Sequence, residues 1–267
     1  MHPVSQKDWN LFADFARELA GLAGRTILPL FRNPLAVDNK LMEGFDPVTE
    51  ADRSAEQAMR RMITASFPDH GIIGEEFEPK PARSEFCWVL DPIDGTRSFI
   101  CGMPTWTTLI ALVYRETPIL GIVSQPFVGE LFVGGPYGSW CERGSDRRGL
   151  SVNPATGIGN AILTTVAPEI YRSEKQRRVL RQMCSRTRMT RFGGDAYFFV
   201  MLASGFVDIA MDAGLAIYDI AALVPIIEGA GGIVTTWDGG DASRGGDILA
   251  AASAGLHASA LAVMKSC

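Results

Sequence analysis

Cysteine is scarce in this sequence and histidine scarcer still, with five and three among 267 residues. The cysteines (Cys87, Cys101, Cys141, Cys184 and Cys267) are odd in number, scattered, and never in CxxC spacing. Such usage argues against a disulfide framework and reads as reduced thiols. Cys87 falls in an apolar stretch and reads as a small core filler. No histidine follows in a context suited to activating a cysteine nucleophile. A surplus of positive charge is missing too: the net charge is -5, where a general nucleic-acid binder needs a basic surface. The longest charge-free runs, residues 98–114 and 248–264, carry Gly together with Ser or Thr and fall short of a membrane span. There is no basic flank followed by an apolar core at the N-terminus, no internal repeat and no low-complexity tract. These absences lead to the expectation of a cytoplasmic protein without a membrane or nucleic-acid partner.

What is present is ordinary for a globular chain, with 47% hydrophobic and 21% charged residues, enough for one large domain or two small ones. Apolar residues at helical spacing predict a helix over 8–31, with Ser5 and Asp8 as a capping box and Pro34 beyond it. Thr49 is placed to cap a second helix over 50–66, turning Ala51, Ala55, Met59, Met62 and Ile63 inward. Strands are expected at 71–74, 86–90, 107–114, 119–124, 130–134 and 139–142, largely as an antiparallel sheet. The polar segment 143–149 is the expected junction between an N-terminal unit, 1–145, and a C-terminal unit, 146–267. Beyond it the pattern alternates, with strands near 161–166, 188–192, 207–211, 232–237 and 248–252 and helices near 173–184, 196–204, 218–228 and 256–265.

The chain is organised around Trp88-Val89-Leu90-Asp91-Pro92-Ile93-Asp94-Gly95-Thr96. A strand apolar on both faces delivers two carboxylates, with Pro92 fixing the backbone between them and Gly95 permitting a tight bend. Oxygen ligands with no nearby His or Cys suit a hard cation such as Mg2+ better than zinc. A helix starting near Thr96 would turn free N–H groups toward an anion. Further acids are Asp46 and Asp52, Glu75 and Glu76, and Asp219. Taken singly each has a plain explanation as a cap or a solvated loop residue, and for Glu50 and Asp52 helix capping is the preferred one. Gly193-Gly194 reads equally well as an ordinary strand-to-helix turn and as a functional loop. Gly229-Ala230-Gly231-Gly232 follows a helix, and so reads as a C-cap and turn.

In combination and order, these motifs resemble the inositol monophosphatase family. The matching residues are Asp46-Pro47-Val48-Thr49-Glu50-Ala51-Asp52, Gly74-Glu75-Glu76, residues 88–96, and Tyr218-Asp219-Ile220-Ala221-Ala222 followed by residues 228–232. The resemblance implies a layered α+β (αβαβα) sugar-phosphatase fold, a homodimer, and a Mg2+-dependent, lithium-sensitive phosphatase using two or three ions. It implies one metal site at Glu75, Asp91 and the Ile93 carbonyl, a second at Asp91, Asp94 and Asp219, and a weaker third at Glu75 with Asp46 nearby through water. Thr96 and Glu75 would orient and deprotonate the attacking water. Gly95, Thr96, Gly193, Gly194, Asp195, Asp212 and Asp219 would face the phosphorylated metabolite.

Residues 97–100, 121–126, 163–165, 194–197 and 214–225 are similar to the histidinol-phosphate phosphatase branch. Ser124, where that branch often has Asp, and Gly240-Asp241-Ala242 depart from it. The resemblance thus implies histidinol phosphate first and inositol-1-phosphate or a related sugar or nucleotide phosphate second. A catalytically silent relative that binds ions or partners is the rival from another class. Intact Glu75, Asp91, Asp94, Thr96 and Asp219 speak against it.

Overall fold

Ser5 starts the first helix, its hydroxyl oxygen accepting the Asp8 N–H at 3.2 Å. In the computed structural model, which describes residues 4–33, 37–39, 47–153 and 157–267, α1 then runs Gln6–Ile27. It gives way to a 3-10 turn at Leu28–Leu30, short of the expected residue 31, because Pro29 has no N–H for the helical ladder. Two short strands, β1 (Val37–Asn39) and β2 (Pro47–Thr49), pair antiparallel ahead of α2, Glu50–Ser66. Thr49 and Asp52 form the box that caps α2: Thr49 Oγ1 accepts the Ala51 N–H and Asp52 Oδ2 accepts the Thr49 N–H.

A seven-stranded sheet follows in simple order, β3 (Gly71–Gly74), β4 (Phe86–Asp94), β5 (Thr107–Tyr114), β6 (Thr117–Gln125), β7 (Glu130–Gly135), β8 (Gly138–Arg143) and β9 (Asp146–Gly149). A short helix, α3 (Thr96–Ile100), links β4 to β5. β3 and β4 are parallel; the remaining pairs are antiparallel. Alternation along the strands splits the sheet between two cores. Trp88, Leu90, Ile110, Leu112, Leu120 and Ile122 pack with α1 and α2, while Val89, Leu109, Ala111, Val123 and Phe132 face the opposite layer.

That opposite layer comes from the C-terminal half: α5 (Asp195–Ala203), α6 (Ile217–Ile220) and α7 (Leu223–Gly229). Beneath it lies a second sheet of five strands, ordered β11 (Met189–Phe192), β10 (Ile162–Thr165), β12 (Ile209–Leu215), β14 (Gly246–Ala251), β13 (Ile233–Thr236). Ala210, Ile248 and Ala250 turn toward the shared helices. Ile209, Met211, Leu249 and Ala251 turn outward to α4 (Glu174–Arg186) and α8 (Ala254–Lys265). The result is helices, sheet, helices, sheet, helices, the layered α+β order expected.

Three details differ from or refine the sequence reading. The segment expected to join two units is a hairpin, Arg143 pairing Asp146, so the first sheet continues through Gly149. The single helix expected over 218–228 is two, because Pro225 cannot donate to the Ala221 carbonyl. β6 packs against this break, and a Cβ at Gly121 would overlap the Ala222 carbonyl oxygen. Gly231, at φ +91°, closes α7 as a glycine C-cap, with the Gly232 N–H reaching the Ile227 carbonyl at 2.9 Å. No helix among the described residues is long and apolar enough to cross a membrane.

Candidate active site

Residues three apart on a regular strand point to opposite faces, yet Asp91 and Asp94 share one cleft. The register explains it: Asp91 faces Leu109 and Asp94 faces Thr107, so β4 carries one residue more than β5 between these pairs. This bulge reverses the alternation. Pro92, with no N–H to contribute, sits inside it, and its carbonyl accepts the Thr108 hydroxyl at 2.7 Å.

The parallel pairing of β3 with β4 sets Gly74 opposite Leu90 and so brings Glu75 alongside Asp91. The two carboxyls lie close enough for Glu75 to raise the pKa of Asp91. Asp219 arrives from the first turn of α6, with Oδ2 held by the Ala216 N–H at 2.7 Å. Oxygens of Asp91, Asp94 and Asp219 lie within 4.8 Å of one another. Burial, then the negative charges of Glu75, Asp94 and Asp219, hold Asp91 well above the usual carboxylate range. Burial and the charges of Asp195 and Asp219 do the same to Asp94, against the Ala196 N–H that donates to it at 2.7 Å. Asp91 Oδ1 is buried with no hydrogen-bond partner. A dense, oxygen-only cluster containing an orphaned carboxylate oxygen fits a hard divalent cation, with the Ile93 carbonyl at hand as a neutral donor.

Thr96 opens α3 behind Gly95, which sits in the left-handed region at φ +80°. Thr96 Oγ1 donates to the Ile93 carbonyl at 3.0 Å and lies 3.5 Å from Asp52 Oδ1. Asp52 is buried, its other oxygen held by the Thr49 N–H at 2.8 Å and the Thr49 hydroxyl at 2.5 Å. Burial raises its pKa, and the charge of Glu75 adds to the rise. From the sequence Asp52 reads as a helix cap. It is a cap, and its second oxygen also reaches the site. Asp46 lies outside the described residues.

The open cleft, about 250 Å3, is lined by the acids, by Gly95, Thr96 and Arg97 on one wall, and by Asp195 on the other. A larger groove of about 590 Å3 between α4 and α8 lies away from these acids. Asp195 opens α5 at φ +45°, and the Ser98 hydroxyl donates to its Oδ2 at 3.0 Å. Burial raises its pKa against that bond and the charge of Arg97. Asp212 sits deeper, in a cavity of about 50 Å3 that it shares with Asp94, Asp195 and Asp219. Its Oδ1 accepts the Val166 N–H at 2.8 Å and the Thr165 hydroxyl at 2.7 Å, and burial pushes its pKa up to about 7. Gly193, at φ +88°, and Gly194 form the turn into α5, outside the cleft wall. A Cβ on Gly194 would overlap the Phe198 ring.

The family model described as the inositol monophosphatase family matches residues 8–267. The bifunctional phosphatase IMPL2, chloroplastic, of Arabidopsis thaliana is 38% identical over 238 residues, covering 88% of this chain and 67% of that one. A histidinol-phosphatase of Chlorobaculum parvum is 36% identical over 246 residues, covering 89% and 90%. The solved structure of an inositol monophosphatase from Zymomonas mobilis superposes with a TM-score of 0.86 at 36% identity, covering 98% of this chain and 100% of that one.

Proposed function

Because this chain belongs to the inositol monophosphatase family, a family of metal-dependent phosphoric monoester hydrolases, we propose that it hydrolyses histidinol phosphate in a Mg2+-dependent reaction. Asp91, Asp94, Asp219, Glu75 and the Ile93 carbonyl would hold two or three ions. When bound, Mg2+ supplies positive charge to the phosphate oxygens and acidifies water. Glu75 takes the proton of the attacking water, which the Thr96 hydroxyl orients from its place between the Ile93 carbonyl and Asp52. Oxygen attacks phosphorus in line, the ester P–O bond breaks, and the leaving alkoxide takes a proton from solvent water, to which Glu75 returns the one it received. Gly95 and Thr96 sit at the phosphate end.

The observation that carries the substrate is Asp195, a carboxylate at the cleft wall held by Ser98. An ammonium-bearing alcohol gains a charge-assisted bond there that inositol cannot offer. The identity to the Chlorobaculum histidinol-phosphatase supports this reading. The Zymomonas structure, at the same 36% identity, supports inositol-1-phosphate as the second. In assembly, a homodimer is the form we propose.

A panel of histidinol phosphate, inositol-1-phosphate, fructose-1,6-bisphosphate and 3′-phosphoadenosine 5′-phosphate, compared by kcat/KM, tests the substrate. Histidinol phosphate is expected to lead; a strong preference for inositol-1-phosphate overturns the choice. Phosphate release that persists in excess chelator, or in Asp94→Asn, overturns the metal chemistry.

A further inference from the structure

The side chain of Glu56 is wholly buried on α2 and has no place in the cleft, yet it is built into the segment that carries Glu75. Its Oε2 accepts the Glu76 N–H at 2.8 Å, and its Oε1 pairs with Arg60 Nε at 2.6 Å. Arg60 then spends both remaining nitrogens on the same segment: Nη1 donates to the Glu78 carbonyl at 3.0 Å and Nη2 to the Phe77 carbonyl at 2.9 Å. On the other side of Glu75, Gly74 lies so close to Glu56 that a Cβ there would overlap its carboxylate. The backbone is therefore tied to α2 at residues 76, 77 and 78 and pressed against it at 74. Glu75 stands between fixed neighbours.

An ion pair taken out of water contributes little stability compared with an apolar pair of similar volume. A planar guanidinium that bridges a carboxylate and two carbonyls does fix direction. Asp52, Glu56 and Arg60 recur every four residues, so they lie along one stripe of α2. The first reaches Thr96, and the other two hold the Glu75 segment. We propose that Glu56 and Arg60 are positioning residues that aim Glu75 at Asp91 and so set the metal affinity of the site. The proposal rests on the assignment of Glu75 as a ligand and base.

The test is Mn2+ binding to the purified full chain, followed by electron paramagnetic resonance, for Glu56→Gln, Arg60→Met and Glu75→Gln. Circular dichroism checks each fold, and a parallel Mg2+ titration follows activity. Loss of an outer partner of a metal ligand weakens metal affinity by roughly 10–100-fold. The Mn2+ Kd of Glu56→Gln and Arg60→Met is expected to rise at least tenfold by that measure, with kcat largely restored at saturating Mg2+. Wild-type Mn2+ affinity in folded Arg60→Met, whose side chain is partly exposed and so less tied to folding, overturns the positioning role if Glu75→Gln has lost both affinity and activity. Should Glu75→Gln retain both, the assignment of Glu75 itself fails, independently of the clamp.

Discussion

Gly95 faces the carboxylate of Asp195 so closely that a Cβ would come within 2.7 Å of Oδ2. The two residues come from different layers, and both line the cleft. Gly95→Ala meets this carboxylate and also the positive φ of the turn, a conformation that costs a side chain about 1–3 kcal/mol. It is expected to lower kcat/KM for every substrate. Asp195→Asn keeps the shape and tolerates positive φ, but removes the charge. It is expected to lower kcat/KM for histidinol phosphate by about 10–100-fold, the value of a charged hydrogen bond, and to leave inositol-1-phosphate nearly unchanged. Equal losses on both substrates would remove Asp195 as the ammonium partner. Steady-state kinetics on the two substrates distinguish the outcomes.

In the proposed mechanism, Thr96 and Asp52 separate water activation from folding. Thr96→Ala removes the hydroxyl that bonds the Ile93 carbonyl and is expected to lower kcat by about 10²–10⁴-fold with little change in Tm. Asp52→Asn weakens both the cap at Thr49 and the approach to Thr96, so it should cost about 1 kcal/mol of stability as well as activity. Full activity in Asp52→Asn would return that residue to capping alone.

Asp212 gives the chelated protein a pH dependence with a definite sign. Its pKa is raised from 3.8 to about 7 by burial, so the folded state holds a proton that the unfolded state has released. Stability from this group is fully present below the unfolded value and lost as pH rises toward 7. The limiting size is on the order of 4 kcal/mol at 1.36 kcal/mol per pKa unit. Thermal melts in chelator should show Tm falling across that range, and Asp212→Asn should flatten the fall. An unchanged slope in the variant would count against Asp212 as its source.

Much of this architecture is legible in the chain because the signals are local. Thr49 and Asp52 announce α2, Ser5 announces α1, and the apolar run through Trp88 ends on its two acids. The convergence of Asp91 and Asp94 is not local, since the bulge exists only in register against Leu109 and Thr107. Asp52 is undervalued because one of its oxygens fully accounts for it as a cap. Glu56 escapes notice because Glu and Arg four apart on a helix read as a solvated pair. The break between α6 and α7 does have a signal, Pro225, set within an otherwise helical pattern.

The helices between the two sheets are synthesised late, and this has a bearing on how the protein comes into being. Val89, Leu109, Ala111, Val123 and Phe132 turn one face of the first sheet toward α5, α6 and α7. A ribosome delivers that face, with Asp91 and Asp94 at its end, long before the helices that cover it or the Asp219 that completes its acids. The nascent sheet therefore waits with an oily side bare, the kind of surface that invites aggregation and chaperone capture. The proposed metal site is complete only when that cover is in place.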